Sequence, residues 1–200
     1  MTTALTIACS KTTYPFVFPA TTKSPPLEIV SWFLSTICSM GYLATFVRVD
    51  EDGSLARSSE FCQLIVDSNC ILHTTGGGNS EANGKVERTH RTLANMVGSF
   101  LSTAKIIIGN DLPNHISIDS LWCFALQFAA YTLRRTYNRQ KGDTPYHMVH
   151  GKKPSIHDLI MFGSIVTIVN PNKNILPKLS PDRAKQSYFL GYGNTVKNIV

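Results

Sequence analysis

Two hundred residues, 43% hydrophobic and 16% charged, hold enough apolar material for one sizeable core with an appended lobe, which excludes wholesale disorder. The net charge of +6 is unevenly placed: residues 1–133 carry eight Lys and Arg against ten Asp and Glu, and residues 134–200 carry eleven against three. So basic a C-terminal third points to an anionic partner, most often nucleic acid, and no apolar run reaches the roughly eighteen residues a membrane span needs.

In chain order, residues 5–9 form a short apolar strand and 14–18 a second. Pro15 confines the second to an edge or a strand start, because proline donates no ladder hydrogen bond. Pro25 and Pro26 precede a helix over 27–40, where Ile29, Val30, Trp32, Phe33, Ile37 and Met40 recur near helical spacing and Gly41 is the stop. Residues 43–49 read as a buried strand ending in Asp50-Glu51-Asp52-Gly53. Ser58 or Ser59 caps a helix through Phe61, Leu64 and Ile65, and 70–73 is a short strand. Residues 74–83 hold three glycines, two asparagines and a serine and read as a loop.

Residues 85–105 are the clearest helix, with Val86, His90, Leu93, Val97, Phe100, Leu101 and Ala104 on one face. Asp119 or Ser120 caps a further helix over 121–137, with Trp122, Ala125, Phe128, Ala129 and Thr132 repeating along it. Thr144-Pro145 opens a short helix, Pro154 and Pro171 interrupt the chain, and 164–169 and 187–192 read as strands. Trp32, Trp122, Phe124, Phe128 and His90 are expected in the core. Strands alternating with helices predict an α/β layered domain followed by a basic appendage. The start of the chain lacks a basic segment leading into a long apolar stretch. Its five scattered cysteines contain no CxxC pair, so an intracellular protein, nuclear or cytoplasmic and not secreted, is expected.

Asp50 closes a predicted strand, and in α/β sheets ligands collect at that edge. Glu87 falls in the first turn of the predicted helix, at the border of its apolar face, with Arg88 and Arg91 pointing further out. Two carboxylates converging from separate elements suit hard divalent cations, which take oxygen ligands and few protein carboxylates. Plainer readings of the same residues stay open: the helix dipole favours a first-turn carboxylate, and an Asp-Gly cluster after a strand is commonly a turn. The glycines at 76–78 lack the Lys-Ser/Thr of a phosphate-binding loop. His147, His150 and His157 have no nearby cysteines, which argues against zinc. Lys85, Arg88, Arg91, Arg134, Arg135, Lys152 and Lys153 are the candidate phosphate contacts, with a solvated surface as the alternative for each.

The stretch Asn83-Gly84-Lys85-Val86-Glu87-Arg88-Thr89-His90-Arg91-Thr92-Leu93 resembles the NGxxERxxRTL signature of Copia-type (Pseudoviridae-like) retrotransposon integrases. Val47-Arg48-Val49-Asp50 with Gly53 and Glu60-Phe61 upstream, and Thr144-Pro145-Tyr146, Gly151-Lys152-Lys153-Pro154, Asp158-Leu159, Phe162-Gly163 and Phe189-Leu190-Gly191-Tyr192 downstream, are similar to further family motifs in the family's order. The resemblance implies a ribonuclease H-like three-layer fold, a mixed sheet with flanking helices. It spans 1–138 and lacks the opening strand, and a basic post-core segment follows over 139–200. It also implies DNA as partner and metal-dependent strand joining by an Asp, Asp, Glu triad holding Mg2+ or Mn2+. Asp50 matches the second Asp and Glu87 the Glu, 37 positions on. A homo-oligomer is compatible with it, and neither a membrane nor a small-molecule substrate is implied.

The departures shape the expectation. The family's first catalytic Asp lies upstream of the strand that 5–9 resembles, and no Asp or Glu precedes Glu28. Catalysis by this chain is therefore expected to be impaired, with weak or absent metal binding. The alternative is a non-catalytic nucleic-acid-binding or assembly remnant of a retroelement polyprotein.

Overall fold

A computed structural model describes residues 3–20, 22, 26–50, 53–75, 80–109 (side chains from 84), 111–113, 116–170, 172, 175, 177–178 and 180–193. Pro25, Glu51, Asp52, the glycines at 76–78 and Pro171 lie outside the described residues, as does the Asn83 side chain. The chain divides into two compact units, Met1–His90 and Arg91–Val200.

In the first unit, Pro15 stands where its missing N–H costs nothing, at the start of β2 (Pro15–Ala20). This strand pairs antiparallel with β1 (Thr3–Ala8), from Ala8↔Pro15 to Thr3↔Ala20. The helix α1 (Leu27–Ser39) buries Val30, Phe33 and Leu34 and ends before Gly41, whose φ of 82° suits glycine. Trp32 is 59% exposed, which corrects the core position expected for it. At 100° per residue it lies roughly opposite the stripe formed by Val30, Phe33 and Leu34.

The parallel strands β3 (Phe46–Asp50) and β4 (Ile71–Thr75) are joined by α2 (Ser59–Asp67), the crossover that parallel pairing requires. Ser58 caps α2, its Oγ accepting the Phe61 N–H at 3.2 Å. The reading of 43–49 as a buried strand is corrected: Phe46, Arg48 and Asp50 are exposed, and only Val47 and Val49 turn toward the core. That core gathers Val30, Phe33, Phe61, Ile65 and Cys70, with Leu5, Ile7, Phe16 and Phe18 of the hairpin packed against it.

The long helix α3 runs Ser80–Ile108, so the loop expected over 74–83 is also corrected. Once a long helix is nucleated, each added residue costs little, and the polar residues from 80 join it. Glu87 is thus its eighth residue rather than part of its first turn. His90, expected among packed residues, is exposed.

In the second unit, Leu93, Ala104 and Ile108 are buried along α3. A 3-10 turn, Ile118–Leu121, leads into α4 (Trp122–Arg135). Ser117 caps this turn by accepting the Ser120 N–H at 3.2 Å, in place of the expected Asp119 or Ser120. Ala125, Phe128 and Ala129 are buried, as the spacing predicts. Phe128 is the hub of an aromatic cluster, with ring centroids 5.0 Å from Phe100, 5.8 Å from Phe162 and 5.9 Å from Phe189. Thr144 caps α5 (Pro145–His150), accepting the His147 N–H at 3.2 Å. The strands β5 (Ile165–Val169) and β6 (Ala184–Tyr188) form an antiparallel pair. The second strand begins and ends earlier than expected, and Phe189, just past it, is fully buried while its N–H and carbonyl still bond Ser164 and Gly163 at 2.8 Å each.

Candidate functional site

Parallel pairing sets Asp50 opposite Thr75, so β3 and β4 end at one edge of their sheet. The Thr75 hydroxyl donates to the Val49 carbonyl at 3.3 Å, tying the two ends together. Asp50 turns the chain: its carbonyl accepts the Gly53 N–H at 3.1 Å, while its carboxylate side is exposed. Four residues separate Thr75 from Ser80, the start of α3, a span of at most about 17 Å when extended. The helix that carries Glu87 therefore departs from near the edge that carries Asp50, within the same compact unit. Glu87 is exposed as well.

Exposed carboxylates offer the hard oxygen donors that Mg2+ or Mn2+ prefers, and Mg2+ commonly takes one or two of them with waters completing its shell. Among the described residues, no group of three or more His, Cys, Asp or Glu is arranged to hold a metal ion. Asp50 and Glu87 each present an exposed carboxylate, and among the described residues no third ligand joins either of them.

Lys85, Arg88 and Arg91 are exposed on α3. A Cβ added at Gly84 would lie 3.2 Å from Arg88 Nη1, so this guanidinium folds back across the helix surface over the glycine. The Gly84 and Arg88 positions of the motif therefore meet in space one helical turn apart. Sequence reading missed a neighbouring set. Phe46, Arg48 and Asp50 share one face of β3 by two-residue alternation. The Phe46 ring stacks on His73 at 5.5 Å, and Arg48 lies 5.7 Å from the Phe46 ring centre. The signal was available: a period of two over 46–50 puts a cation and an aromatic ring on the face of the strand-ending Asp.

The basic residues of the second unit are not equivalent. Arg135 sits 3.4 Å from the Tyr131 ring centre and 4.8 Å from that of Tyr146, and its Nη1 donates to the Tyr131 carbonyl at 3.1 Å. Its Nε is buried with no hydrogen-bond partner. Arg134 and Arg135 close α4, where positive charge complements the helix dipole. Lys152 and Lys153 are exposed just past Gly151, which takes a φ of 65° at the end of α5.

His150 lies tilted at 44° against Tyr146, with ring centroids 4.4 Å apart, and its imidazole is held below its ordinary pKa, by burial first and then by the charges of Arg134 and Arg135. Asp143, paired with His147 at 2.6 Å, is held low chiefly by the Thr144 N–H and then by His147. The signs separate two pH windows. A lowered histidine pKa means the unfolded chain takes up the proton first, so stability is full above the ordinary value of 6.5 and falls as pH drops below it. A lowered aspartate pKa acts only below its ordinary 3.8. A modest fall in melting temperature between pH 7 and pH 5 is therefore expected, reduced in His150→Gln. An unchanged pH profile in that variant would contradict the assignment.

No helix among the described residues is long and apolar enough to cross a membrane. No family model matches the chain. Its sequence is 26% identical over 156 residues to a retrovirus-related Pol polyprotein from transposon 412 of Drosophila melanogaster. That match takes in 76% of this chain and 11% of the polyprotein, so the chain spans about a tenth of that relative's length. In structure it is similar to a chain of the simian T-cell lymphotropic virus intasome in complex with PP2A regulatory subunit B56 gamma. The TM-score is 0.54 and the identity 16%, over 94% of this chain and 66% of that one. It is also similar to the catalytic core domain of BIV integrase, with a TM-score of 0.50 and 16% identity, over 74% of this chain and 85% of that one. The fold is ribonuclease H-like, that of integrase catalytic cores, built here from small sheets and flanking helices.

Proposed function

We propose that this chain is the integrase core of a retrotransposon polyprotein, of Copia type by its motifs, and that it binds DNA for integration. One observation carries the reading. Asp50 closes a parallel strand pair whose exit leads within four residues into a helix bearing Glu87, Arg88 and Arg91. In this reading residues 1–138 are the core and 139–200 a basic post-core segment, and the protein works inside the cell, in nucleus or cytoplasm. Asp50 and Glu87 hold Mg2+ or Mn2+, while Lys85, Arg88 and Arg91, with Arg134, Lys152 and Lys153, hold phosphates. When bound, a divalent cation there polarises a phosphodiester oxygen and makes its own water more acidic.

The chain's own residues fix the balance between binding and chemistry. Exposed cations bind the duplex without reading its sequence, and two carboxylates neutralise two divalent ions less completely than three. Binding without efficient strand transfer by this chain alone is the consequence. The second reading, a non-catalytic DNA-binding or assembly module, is favoured by the absence of a three-ligand cluster among the described residues.

Cation-dependent stabilisation separates the readings. A site of millimolar affinity at a tenfold excess of Mn2+ stabilises the fold by about 1.4 kcal/mol, or about 3–6 °C in a chain of this size. The shift should vanish in Asp50→Asn and Glu87→Gln. A wild-type shift that persists in both variants, or no shift beside intact DNA binding, would transfer the protein to the second reading. Duplex nicking abolished by the same substitutions would show that catalysis is not impaired.

A further inference from the structure

A shallow, open groove lies between α1 and α2. Leu27 and Trp32 of α1 and Leu64 of α2 form its apolar floor, and Glu28, Glu60 and Asp67 form its rim. No Lys, Arg or His lines it among the described residues. Its arrangement follows from helical spacing. Ser59, Glu60, Gln63, Leu64 and Asp67 fall at i, i+1, i+4, i+5 and i+8, one face of α2. Gln63 Nε2 donates to Asp67 Oδ1 at 2.8 Å and orients that carboxylate. All three carboxylate residues are exposed, and Trp32 keeps 59% of its surface open. An apolar centre with a large aromatic residue and a rim of one charge is the anatomy of a recognition surface.

We propose that this groove is a self-association site, filled by the basic strap 152–156 of a second copy of this chain. Charge complementarity argues for that occupant. Among the described residues the charged rim is acidic, and the basic residues of this chain are concentrated beyond residue 133. Within that region Lys152 and Lys153 are exposed and are followed in three residues by Ile156, itself 66% exposed, in a segment with no helix or strand. The strap offers two cations for the carboxylates and an aliphatic anchor for Trp32 and Leu64. Lengths agree as well. Four residue steps of extended chain reach about 14 Å, and the seven steps from Glu60 to Asp67 rise about 10.5 Å. The contact joins different surfaces of two copies, so it is head-to-tail and grows into a ring or a chain. It does not rest on the DNA reading; Lys152 and Lys153 cannot serve a phosphate and the groove at once, so duplex DNA competes with this contact.

The test is sedimentation velocity of the full chain without DNA or divalent metal, at low and high salt. Self-association at low salt, weakened by salt, is expected. Glu60→Lys with Asp67→Lys should weaken it at least about tenfold, and so should Lys152→Glu with Lys153→Glu. Mixing the two reversed variants should restore association, because the charges are then exchanged rather than lost. Should a reversed variant misfold, Glu60→Gln with Asp67→Asn keeps size and shape and should still weaken assembly. A chain that stays monomeric, assembly that survives the groove variants, or a mixture that fails to reassemble would overturn the proposal. So would a monomer whose groove takes up a lysine-rich peptide instead.

Discussion

Raising sodium chloride from about 50 to 200 mM should weaken duplex-DNA binding by about three orders of magnitude. Seven cationic side chains are the candidate phosphate contacts: Lys85, Arg88, Arg91, Arg134, Arg135, Lys152 and Lys153. Each neutralised phosphate releases condensed counterions, so the affinity falls with a logarithmic salt slope near −0.9 per contact. The structure changes the arithmetic at Arg135. Arg135 stacks on Tyr131 and Tyr146 and donates to a backbone carbonyl, so binding a phosphate would require it to give up those partners. Six contacts predict a slope of about −5, and seven a slope of about −6. Arg88→Gln with Arg91→Gln should flatten the slope by about two units and weaken binding alike for unrelated sequences. Fluorescence anisotropy on labelled duplexes of two compositions measures both. A slope near zero, or strong preference for one sequence, would refute phosphate-dominated binding.

Gly163→Ala should cost about 2–4 kcal/mol of stability, from overpacking added to left-handed strain. Gly163 has a φ of 81°, which side-chain-bearing residues avoid. An added Cβ would stand 2.8 Å from the Ala104 Cβ and 2.9 Å from its Cα, a clash with a helix backbone that cannot swing aside. Neighbouring groups leave little room to relax: the Gly163 N–H donates to the Phe189 carbonyl at 2.8 Å, and Phe162, Phe189 and Ala104 are fully buried. The loss corresponds to a drop of roughly 5–15 °C in melting temperature for a chain of this length. Adding Ala104→Gly should recover only part of it, since the clash with the helix backbone and the left-handed strain remain. A double-mutant cycle in urea would report that coupling. A variant as stable as the parent would mean the α3 backbone gives way more easily than a packed helix should.

Gly163 also shows how sequence and structure divide the explanation. Phe162-Gly163 was legible only as one motif among several. In the fold the phenylalanine fills the aromatic cluster and the glycine lets the chain pass against Ala104, 59 positions earlier. Gly84 gains its meaning the same way, through the Arg88 guanidinium lying over it. Both relations depend on distances that spacing along the chain does not carry. The β3 strand was legible as a strand but not in its exposure. An apolar run has no period that distinguishes two covered faces from one, and here Phe46 and Arg48 face outward. Composition pulled the other way at 80–83, where Ser and Asn beside the glycines at 76–78 suggested a loop and propagation of a 29-residue helix prevailed.

From its residues alone this chain determined its alternation of strands and helices, because side-chain periodicity and capping are local properties. Asp50 at a strand end, Glu87 beside two arginines and the basic C-terminal third were equally legible, because each depends only on position in the chain. Tertiary structure decided which strands pair, and so that β3 and β4 end together at one edge. It set Trp32 over an acid-rimmed groove and Arg135 between two tyrosines. The physical reason is that each of these is an approach of elements distant in sequence, chosen by the burial of whole faces rather than by the preference of any one residue.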